Sequence, residues 1–362
     1  MKICFVSVEI FAWGKYGGFG RATRTIGREL VRRGVDVSAI IPRRGEQKPF
    51  EVLDGIKVYG FEPSSFLSAR HLYRQVDADI YHSEEPSFGT FLARVTMPKK
   101  AHLVTCRDTR DAEDWRIERS LPTKSGFQVI KNQLYEDNYL VEWAVRNADK
   151  VFAASYIVQE KARKRYHLNP PPEFLATPVV VPAQVKKAEK PTVCFVARWD
   201  RRKRPEMFLE LAKQFPQVNF IAVGASHDKA WDAALRAEYG KLPNLELPGF
   251  VDQFDTTQLS QLYEKSWILV NTAAREGLPN AFIEAAAHRC AILSSVNPDE
   301  FATQFGYFAE KDDFAEGLRT LLENDRWRTL GEKGHAYVDE FFSYDAVINR
   351  HLEIYRQMLE KK

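Results

Sequence analysis

Two glutamates in the second half of the chain have the spacing of residues that flank an anion-binding helix end. Glu276 lies in a loop, and Glu284 lies inside a helix that Pro279 and Asn280 are predicted to start, Asn being a favoured N-cap. The unpaired N–H groups at the amino end of such a helix attract anions. Carboxylates on both sides of that end suit a ligand with a phosphate in the middle and hydroxyls at both ends. The alternative is an ordinary loop and helix with two solvated glutamates.

A second loop, in the basic stretch 197–205 (ARWDRRKRP), offers positive charge for the same ligand. Arg198 and Lys203 follow an apolar run, so both side chains can approach one oxyanion, the arginine as a fork and the lysine as a point charge. The alternative is the solvated start of a helix. Since both loops are predicted to leave the carboxyl edge of one parallel sheet, we expect them to converge on one diphosphate.

The elements that must position these loops alternate regularly between strands and helices. Short apolar runs, starting with 2–8 in the first half and 192–197 in the second, are separated by segments of helical pattern. This alternation predicts an α/β fold with parallel sheets covered on both faces. The stretch 170–191 is rich in proline and then in lysine, which indicates a linker. We therefore expect two doubly wound Rossmann-like domains that face a central cleft.

Composition excludes several classes of protein. The 362 residues are 44% hydrophobic and 28% charged with a net charge of +3, which describes a soluble globular protein. The sequence contains no run of about 18 uncharged apolar residues, and we expect the apolar run 2–8 to be a first core strand and not part of a cleavable leader. The four cysteines are far apart, so zinc or redox chemistry is not indicated.

The glycine-rich stretch 15–24 (KYGGFGRATR) raises the alternative of a nicotinamide dinucleotide site. That fingerprint requires glycines directly after the first strand and a third glycine in the following helix. Here Gly17 and Gly18 come well after the apolar run 2–8, and position 23 is threonine. The spacing therefore argues against an oxidoreductase.

Together these motifs resemble the retaining GT-B glycosyltransferases of family 4. Glu276 and Glu284 match the E-x7-E motif of that family, and Arg198 and Lys203 match its Arg…Lys pair. The resemblance extends over nearly the whole chain, since further blocks stand where the family has related ones, at 17–20, 78–86, 102–108 and 148–155.

The resemblance implies a role for each matched residue. Arg198 and Lys203 would stabilise the charge that grows on the departing diphosphate, and Glu276 would position the donor sugar. Glu284 would bind the ribose hydroxyls. The remaining donor contacts would be Gly17, Gly18, Arg107, Val251, Gly277, Leu278, Pro279, Asn280 and Ala281. Contacts to the acceptor would come from Arg21, Arg24, His82 and Asp108.

One position departs from the family pattern. The family commonly has a T-x-H-D block after the strand at 101–106, whereas this chain has Arg107 in place of the histidine. Arginine cannot accept a proton at neutral pH. Arg107 is therefore either a substituted contact or a side chain that faces away, and a catalytically inactive binding protein is one alternative. His82 has a second interpretation too, as a hydrogen-bonded histidine of the core.

For the whole protein the resemblance implies a retaining hexosyltransferase. Residues 1–182 would bind the acceptor, 183–345 would bind the nucleotide-sugar donor, and a helix at 346–362 would pack back on the first domain. The donor would be a UDP-sugar, with glucose as the default, and the acceptor a glycan or a lipid-linked glycan of cell-surface polysaccharide or glycolipid synthesis. The other enzymatic alternative is an epimerase that acts on nucleotide sugars.

The resemblance also implies which metal ions, cofactors and partners the protein does not require. We expect no metal ion, no cofactor and no nucleic-acid partner, because the cations Arg198 and Lys203 would replace a metal. The sequence Asp77-Ala78-Asp79 spells the D-x-D of metal-dependent glycosyltransferases, but capping of the start of a strand is the better interpretation. We expect a cytoplasmic protein, with peripheral contact to the inner face of the membrane as an open alternative.

Overall fold

The computed structural model describes residues 1–14, 17–123, 125–254 and 256–360. Within these ranges the chain folds into two compact units, each with one sheet. Unit 1 comprises Met1–Ala112, Phe127–Pro178 and Tyr344–Lys362, and unit 2 comprises Glu113–Gly126 and Val179–Ser343.

These boundaries lie within a few residues of the predicted ones, with one exception. The segment Glu113–Gly126 comes from the first half of the chain and yet belongs to unit 2. The predicted first domain, 1–182, included it. The last helix belongs to unit 1.

Unit 1 is built on a sheet with the strand order β3-β4-β2-β1-β5-β6-β7-β8. All neighbours pair in parallel except β3 and β4, which are antiparallel. The strands are β1 (Lys2–Val6), β2 (Asp36–Pro42), β3 (Phe50–Leu53), β4 (Ile56–Phe61), β5 (Ile80–Ser83), β6 (Ala101–Cys106), β7 (Lys150–Ala153) and β8 (Glu173–Phe174). The α-helices are α1 (Gly18–Arg32), α2 (Ala69–Val76), α3 (Phe88–Thr96), α5 (Gly126–Glu136), α6 (Tyr139–Arg146), α7 (Tyr156–Arg165) and α15 (Tyr344–Glu360), and α4 (Ala112–Ser120) leads from unit 1 into unit 2.

Both faces of this sheet are buried, as the apolar strands predict. Along β1, Ile3 and Phe5 belong to one core cluster, which includes residues of α1 and α15. Cys4 and Val6 point the other way, into a cluster with residues of α2 and α3. The period of two along the strand thus distributes its side chains between two helical layers.

Unit 2 has the sheet order β11-β10-β9-β12-β13-β14, with all neighbours parallel. The strands are β9 (Thr192–Val196), β10 (Asn219–Val223), β11 (Leu245–Gly249), β12 (Ile268–Asn271), β13 (Ala291–Ser294) and β14 (Gly306–Phe308). The α-helices are α8 (Pro205–Gln214), α9 (Lys229–Tyr239), α10 (Gln258–Lys265), α11 (Asn280–Ala287), α12 (Phe301–Phe305), α13 (Phe314–Leu322) and α14 (Arg326–Phe342).

The strand order reverses once in each sheet, and ligands of open α/β sheets bind at such switch points. In unit 1 the chain moves from β1 outward through β2 and returns to the other side of β1 with β5. In unit 2 it moves from β9 outward to β11 and returns beside β9 with β12. The loops after β9 and β12 are the ones that contain Arg198, Lys203 and Glu276.

Two stretches differ from what their sequence patterns predict. The sequence pattern predicts one continuous helix over 129–147, whereas the structure has the two helices α5 and α6. The division arises because the Asn138 side chain accepts hydrogen bonds from the main-chain N–H groups of Leu140 and Val141 at 3.0 and 3.1 Å and so caps α6. The dense charge of the stretch 108–119 is typical of a solvated loop or, alternatively, of a lid that contacts the acceptor, whereas in the structure this stretch contributes most of α4.

The glycine stretch at the start of α1 is shaped by close packing against the loop after β1. Lys15 and Tyr16, which open the stretch, lie outside the described residues. The N–H of Gly20 donates to Oε1 of the buried Glu9 at 3.1 Å. A Cβ atom on Gly17 would lie 2.0 Å from the same oxygen, and one on Gly20 would lie 2.8 Å from the main chain of Ile10 and Phe11. The glycines therefore admit a carboxylate and a peptide at the amino end of the helix.

Gly20→Ala should destabilise the protein by about 1–3 kcal/mol, because the new methyl group meets main-chain atoms that cannot move aside. Urea denaturation measures the loss. Gly126→Ala is the matched control, since a Cβ there meets nothing within 4 Å and we expect stability at or above that of the wild type. Equal stability of the two variants would contradict this account of the turn.

Candidate functional site

The loop after β9 is anchored by a buried tryptophan directly behind Arg198. Trp199 is fully buried, and its main-chain N–H donates to the carbonyl of Ala225 at 3.1 Å. The loop that contains Ala225 can lie this close to Trp199 because residue 224 is a glycine. Gly224 has φ +136°, and a Cβ there would lie 1.9 Å from the carbonyl oxygen of Ala197. Arg198 therefore leaves a fixed point at the end of the sheet.

Asp200 folds the same loop around its carboxylate. One oxygen accepts from Nε and Nη2 of Arg198 at 3.1 and 2.7 Å, and the other accepts from the main-chain N–H groups of Arg202 and Lys203 at 3.1 and 3.2 Å. Burial acts to raise the pKa of Asp200, but the charges of Arg198, Arg202 and Lys203 outweigh it, and the pKa is lowered. The ionised carboxylate thus orients the guanidinium of Arg198, whose side chain keeps 37% exposure.

Hydrogen bonds join this loop to the loop after β12. The hydroxyl of Thr272 lies 2.7 and 2.9 Å from the carbonyl oxygens of Lys203 and Arg204, and the N–H of Ala274 donates to the carbonyl of Arg202 at 2.8 Å. The two loops that leave neighbouring strands at the switch point therefore form one structure.

The side chains of Lys203 and Glu276 meet above this joint. The ammonium nitrogen of Lys203 contacts Oε1 of Glu276, and both side chains are partly exposed, at 21% and 15%. The structure thus brings together two of the three predicted catalytic residues, and Arg198 lies on the same loop as Lys203.

Helix α11 begins where the sequence indicates, but its N-cap lies one residue before the predicted one. Pro279 is the N-cap and Asn280 is the first helical residue, so Asn280 is not the cap that we predicted. Glu284 lies inside the helix, half-buried, and accepts a hydrogen bond from the hydroxyl of Tyr263 at 3.2 Å. The predicted donor residues before and at the helix start are partly exposed: Gly277, Leu278, Pro279, Asn280 and Ala281. Their contacts to a donor stay predictions.

Val251 is partly exposed and follows β11, the edge strand of the unit 2 sheet. Since β10 lies between β11 and β9, Val251 leaves the sheet two strands away from the Arg198 loop. A contact from Val251 to the base of a nucleotide remains a prediction.

Arg107 in unit 1 is buried and engaged with the protein itself. Its Nε donates to Glu84 Oε2 at 2.7 Å, Nη2 contacts the same oxygen, and Nη1 donates to the Thr177 hydroxyl at 2.7 Å. The main-chain N–H of Arg107 donates to Glu85 at 2.6 Å. This geometry favours the alternative in which Arg107 faces away from a ligand, and a donor contact stays a prediction.

His82 lies beside this ion pair and is fully buried. Its Nδ1 and Nε2 lie 2.8 Å from the hydroxyls of Tyr355 and Thr105. Burial, with a contribution from the charge of Arg107, lowers the pKa of His82, so the ring is neutral at pH 7. These contacts favour the core histidine over the acceptor contact.

The remaining residues of unit 1 that were predicted to contact a ligand differ in their exposure to solvent. The buried Arg24 donates to Asp54 at 2.7 Å and to the carbonyl of Phe11 at 2.8 Å, so its guanidinium holds the loop after β1. Arg21 and Asp108 are partly exposed. Gly17 and Gly18 stand at the start of α1, as described above. Roles of these residues toward a ligand remain predictions.

The structure adds charged residues that sequence reasoning did not assign to the site. Asp114 and Glu118 of α4 are buried, and they pair with Arg275 and Arg202. Each of these arginines immediately precedes a predicted catalytic residue in the sequence. The helical spacing of the two acids was visible, but nothing local linked them to a partner far along the chain.

Two further observations concern metal ions and membranes. Asp79 caps the start of the unit 1 sheet by accepting from the N–H of Lys2 at 2.7 Å, and Asp77 pairs with Lys100 at 2.8 Å. In the ranges given above, no cluster of three or more His, Cys, Asp or Glu side chains has the arrangement of a metal site. Nor does any described helix combine the length and the hydrophobicity needed to cross a bilayer.

Comparison with known proteins agrees with this architecture. The family described as Glycosyltransferase Family 4 matches residues 16–179, and Glycosyl transferases group 1 matches residues 180–336. A glycogen synthase of Thermotoga maritima is 32% identical over 89 residues, which span 24% of this chain and 17% of that protein.

Solved structures of similar fold cover nearly the full chain. A sucrose-phosphate synthase of Thermosynechococcus elongatus has a TM-score of 0.75 at 16% identity, with 100% of both chains covered. HepE of Anabaena, solved with UDP-glucose, has a TM-score of 0.71 at 15% identity over 99% of this chain and 100% of the other. TarM of S. aureus, in a complex that includes UDP, has a TM-score of 0.68 at 12% identity, covering 98% and 100%.

Two doubly wound α/β units with charged loops at a switch point thus define a protein of the GT-B class. Because the two family matches together cover most of its length, the chain belongs to the family 4, group 1 glycosyltransferases.

Arg107→Ala should destabilise the protein by about 3–5 kcal/mol, because it leaves the buried carboxylate of Glu84 without its cation. Urea denaturation is the measurement. Arg116→Ala is the control, since Arg116 forms an exposed pair with Glu113 and we expect a change below about 1 kcal/mol. If both variants were as stable as the wild type, the ion pair would not have the structural role described here.

The raised pKa of Glu85 predicts that the stability of the protein depends on pH. Burial raises its pKa from 4.5 to about 8, against the opposing hydrogen bond from the main chain of Arg107. The folded protein therefore retains a proton that the unfolded chain loses above pH 4.5, and the free energy of unfolding should fall as the pH rises from about 5 to about 8. The slope contributed by one such group is at most about 1.4 kcal/mol per pH unit.

Glu85→Gln should remove this component, which urea denaturation across that pH interval would show. The exposed Glu160, whose pKa is lowered to about 2 by hydrogen bonds from Arg163 and Lys164, supplies the control variant Glu160→Gln. That control should keep the wild-type slope. An identical slope in Glu85→Gln and the wild type would refute the assignment.

Proposed function

We propose that the chain is a retaining hexosyltransferase with a UDP-sugar as donor and glucose as the default sugar. The observation that carries this proposal is the contact of Lys203 with Glu276, on loops that meet at the switch point of unit 2, with Arg198 on the same loop as Lys203. The similarity to HepE, whose structure was solved in complex with UDP-glucose, supports the choice of donor.

In the proposed reaction the two cations act on the leaving group. Breaking the bond between the sugar and the diphosphate leaves negative charge on the phosphate oxygens, and preorganised cations stabilise it. Asp200 orients Arg198 by accepting from its Nε and Nη2, so little reorganisation is needed. The ammonium group of Lys203 has three donors and can keep Glu276 while it donates to a phosphate oxygen.

Glu276 would then accept hydrogen bonds from hydroxyls of the donor sugar, and Glu284 from the ribose. The N–H groups at the start of α11 would bind the donor between these two carboxylates. Retention of configuration would follow from attack on the face that the diphosphate leaves, with a phosphate oxygen taking the acceptor's proton. Glu276 positions the sugar in this scheme and does not form a bond to it.

The proposed acceptor is a glycan or a lipid-linked glycan of cell-surface polysaccharide or glycolipid synthesis. TarM is described in complex with fondaparinux and α-GlcNAc-glycerol, and these carbohydrate ligands support the glycan part of this proposal. We propose further that the reaction proceeds without a metal ion or cofactor, since Arg198 and Lys203 supply the positive charge. The proposed location is the cytoplasm, including the inner face of the membrane.

The contacts of Arg107 favour a second candidate function, in which the protein binds nucleotide sugars but does not catalyse their reaction. Where the family commonly has a histidine, this chain has a guanidinium engaged with Glu84 and Thr177. The two candidates differ in one measurement. The purified chain is incubated with a panel of UDP-sugars and a glycan acceptor, and release of UDP is followed alongside calorimetric binding of UDP.

Release with at least one donor supports the transferase, and binding without release supports the non-catalytic protein. Interconversion of the sugar without release of UDP would indicate an epimerase. Absence of both binding and release would refute the proposed function.

Lys203→Ala and Glu276→Ala should each lower kcat by at least about 10²-fold, because each removes a group aimed at the donor. Lys213→Ala is the matched control, since Lys213 lies on α8 in an exposed pair with Glu210. We expect its rate to stay within about twofold of the wild type. Near-normal rates in the first two variants would overturn the assignment of the site.

A further inference from the structure

Helix α4 brings carboxylates from the first half of the chain into the candidate site of unit 2. The chain leaves unit 1 at Ala112, and residues of α4 from Glu113 onward belong to unit 2. Three of its side chains are buried there: Asp114, Trp115 and Glu118. The sequence suggests a solvated loop at this place, so the burial of two acids requires an explanation.

The explanation is a shared ion pair on Glu118. Oε1 of Glu118 contacts Nη1 of Arg202 and lies 3.2 Å from Nη1 of Arg275. Arg275 also donates from Nε to Oδ1 of Asp114 at 3.0 Å. One carboxylate oxygen thus joins an arginine of the loop after β9 to an arginine of the loop after β12.

The position of these arginines in the sequence relates the pair to the proposed chemistry. Arg202 immediately precedes Lys203, and Arg275 immediately precedes Glu276. The side chains of Arg202 and Arg275 are 14% and 4% exposed, so water compensates only weakly for the loss of Glu118 as their partner. Any shift of one arginine relative to the other moves the neighbouring catalytic residue with it.

A further charged contact extends this group of ion pairs toward Arg198. Nη2 of Arg202 lies 3.7 Å from Oδ2 of Asp200, the oxygen that orients Arg198. Positive and negative side chains therefore alternate from the exposed Arg198 inward to Asp114, and Glu118 stands in the middle of this series.

We propose that Glu118 is a positioning residue of the transferase site, which holds Lys203 and Glu276 at their working separation through Arg202 and Arg275. The inference rests on the function proposed above, because it concerns the separation of two groups that act on the donor. Glu118 itself touches neither substrate nor reacting atoms.

The test compares Glu118→Gln with Glu113→Gln in the full-length chain. Glu118→Gln keeps the shape of the side chain and removes its charge. Glu113 lies on the same helix and forms an exposed pair with Arg116, which makes it the matched control. We expect Glu118→Gln to lower kcat about tenfold or more and to weaken UDP binding several-fold, since small displacements of catalytic groups have large effects on rate. Glu113→Gln should leave both quantities within about twofold.

A double-mutant cycle separates positioning from general stability. In a Lys203→Ala background the effect of Glu118→Gln on the Kd for UDP should shrink, because the residue through which Glu118 acts is absent. All assays are run at a temperature well below the Tm of every variant. Glu118→Asp keeps the charge on a shorter side chain, and it should fold with an intermediate kcat even if Glu118→Gln does not fold.

A lowered Tm with unchanged kcat and unchanged Kd for UDP would overturn the proposal, and so would full additivity in the cycle. If the wild type binds UDP and releases it from a donor while Glu118→Gln and Glu118→Asp both match the control, this inference fails and the proposed function stands. If the wild type neither binds nor releases UDP, the proposed function fails and this inference fails with it.

Discussion

The hydrogen bonds between the loops after β9 and β12 are the constraint on which the rest of the candidate site depends. Strands β9 and β12 are neighbours, and the strand order reverses between them, so the two loops leave the same edge of the sheet at its switch point. Thr272 joins the two loops by lying within hydrogen-bond distance of the carbonyls of Lys203 and Arg204. Because both main chains are fixed, the contact of Lys203 with Glu276 requires the ordering of the two side chains only, and the backbone entropy is already lost.

Much of this arrangement follows from local sequence patterns. Apolar runs bounded by helical segments predicted most strands of both sheets, and Arg198, Lys203 and Glu276 fell on loops at the carboxyl ends of strands. Such predictions succeed because the period of side-chain burial is a property of each element by itself. The strands β8 and β14 were not predicted, because two or three residues are too few to show a period. The strand β3 was missed because its side chains alternate between exposed and half-buried, so it is not an apolar run.

The partners of charged side chains were not predictable in the same way. Arg107 was recognised as a departure from the family pattern, but whether it faces a ligand or the core depends on Glu84, 23 positions earlier in the sequence. Likewise the acids of α4 looked like a solvated run, because their partner Arg275 is 161 positions away from Asp114. The sequence does not show which charged side chains are buried. Only the fold shows which of them are paired.

Buried charges have different consequences in the two units. In unit 1 the pair of Arg107 and Glu84 lies beside His82, whose hydrogen bond to Tyr355 links the strand end to α15. There the charges hold one unit together. In unit 2 the paired arginines stand next to groups that carry the proposed chemistry, so the same desolvation penalty that makes an unpaired charge costly also resists displacement of the loops after β9 and β12. A site that must stabilise a growing negative charge gains from such rigidity, because its cations need no reorientation while the bond breaks.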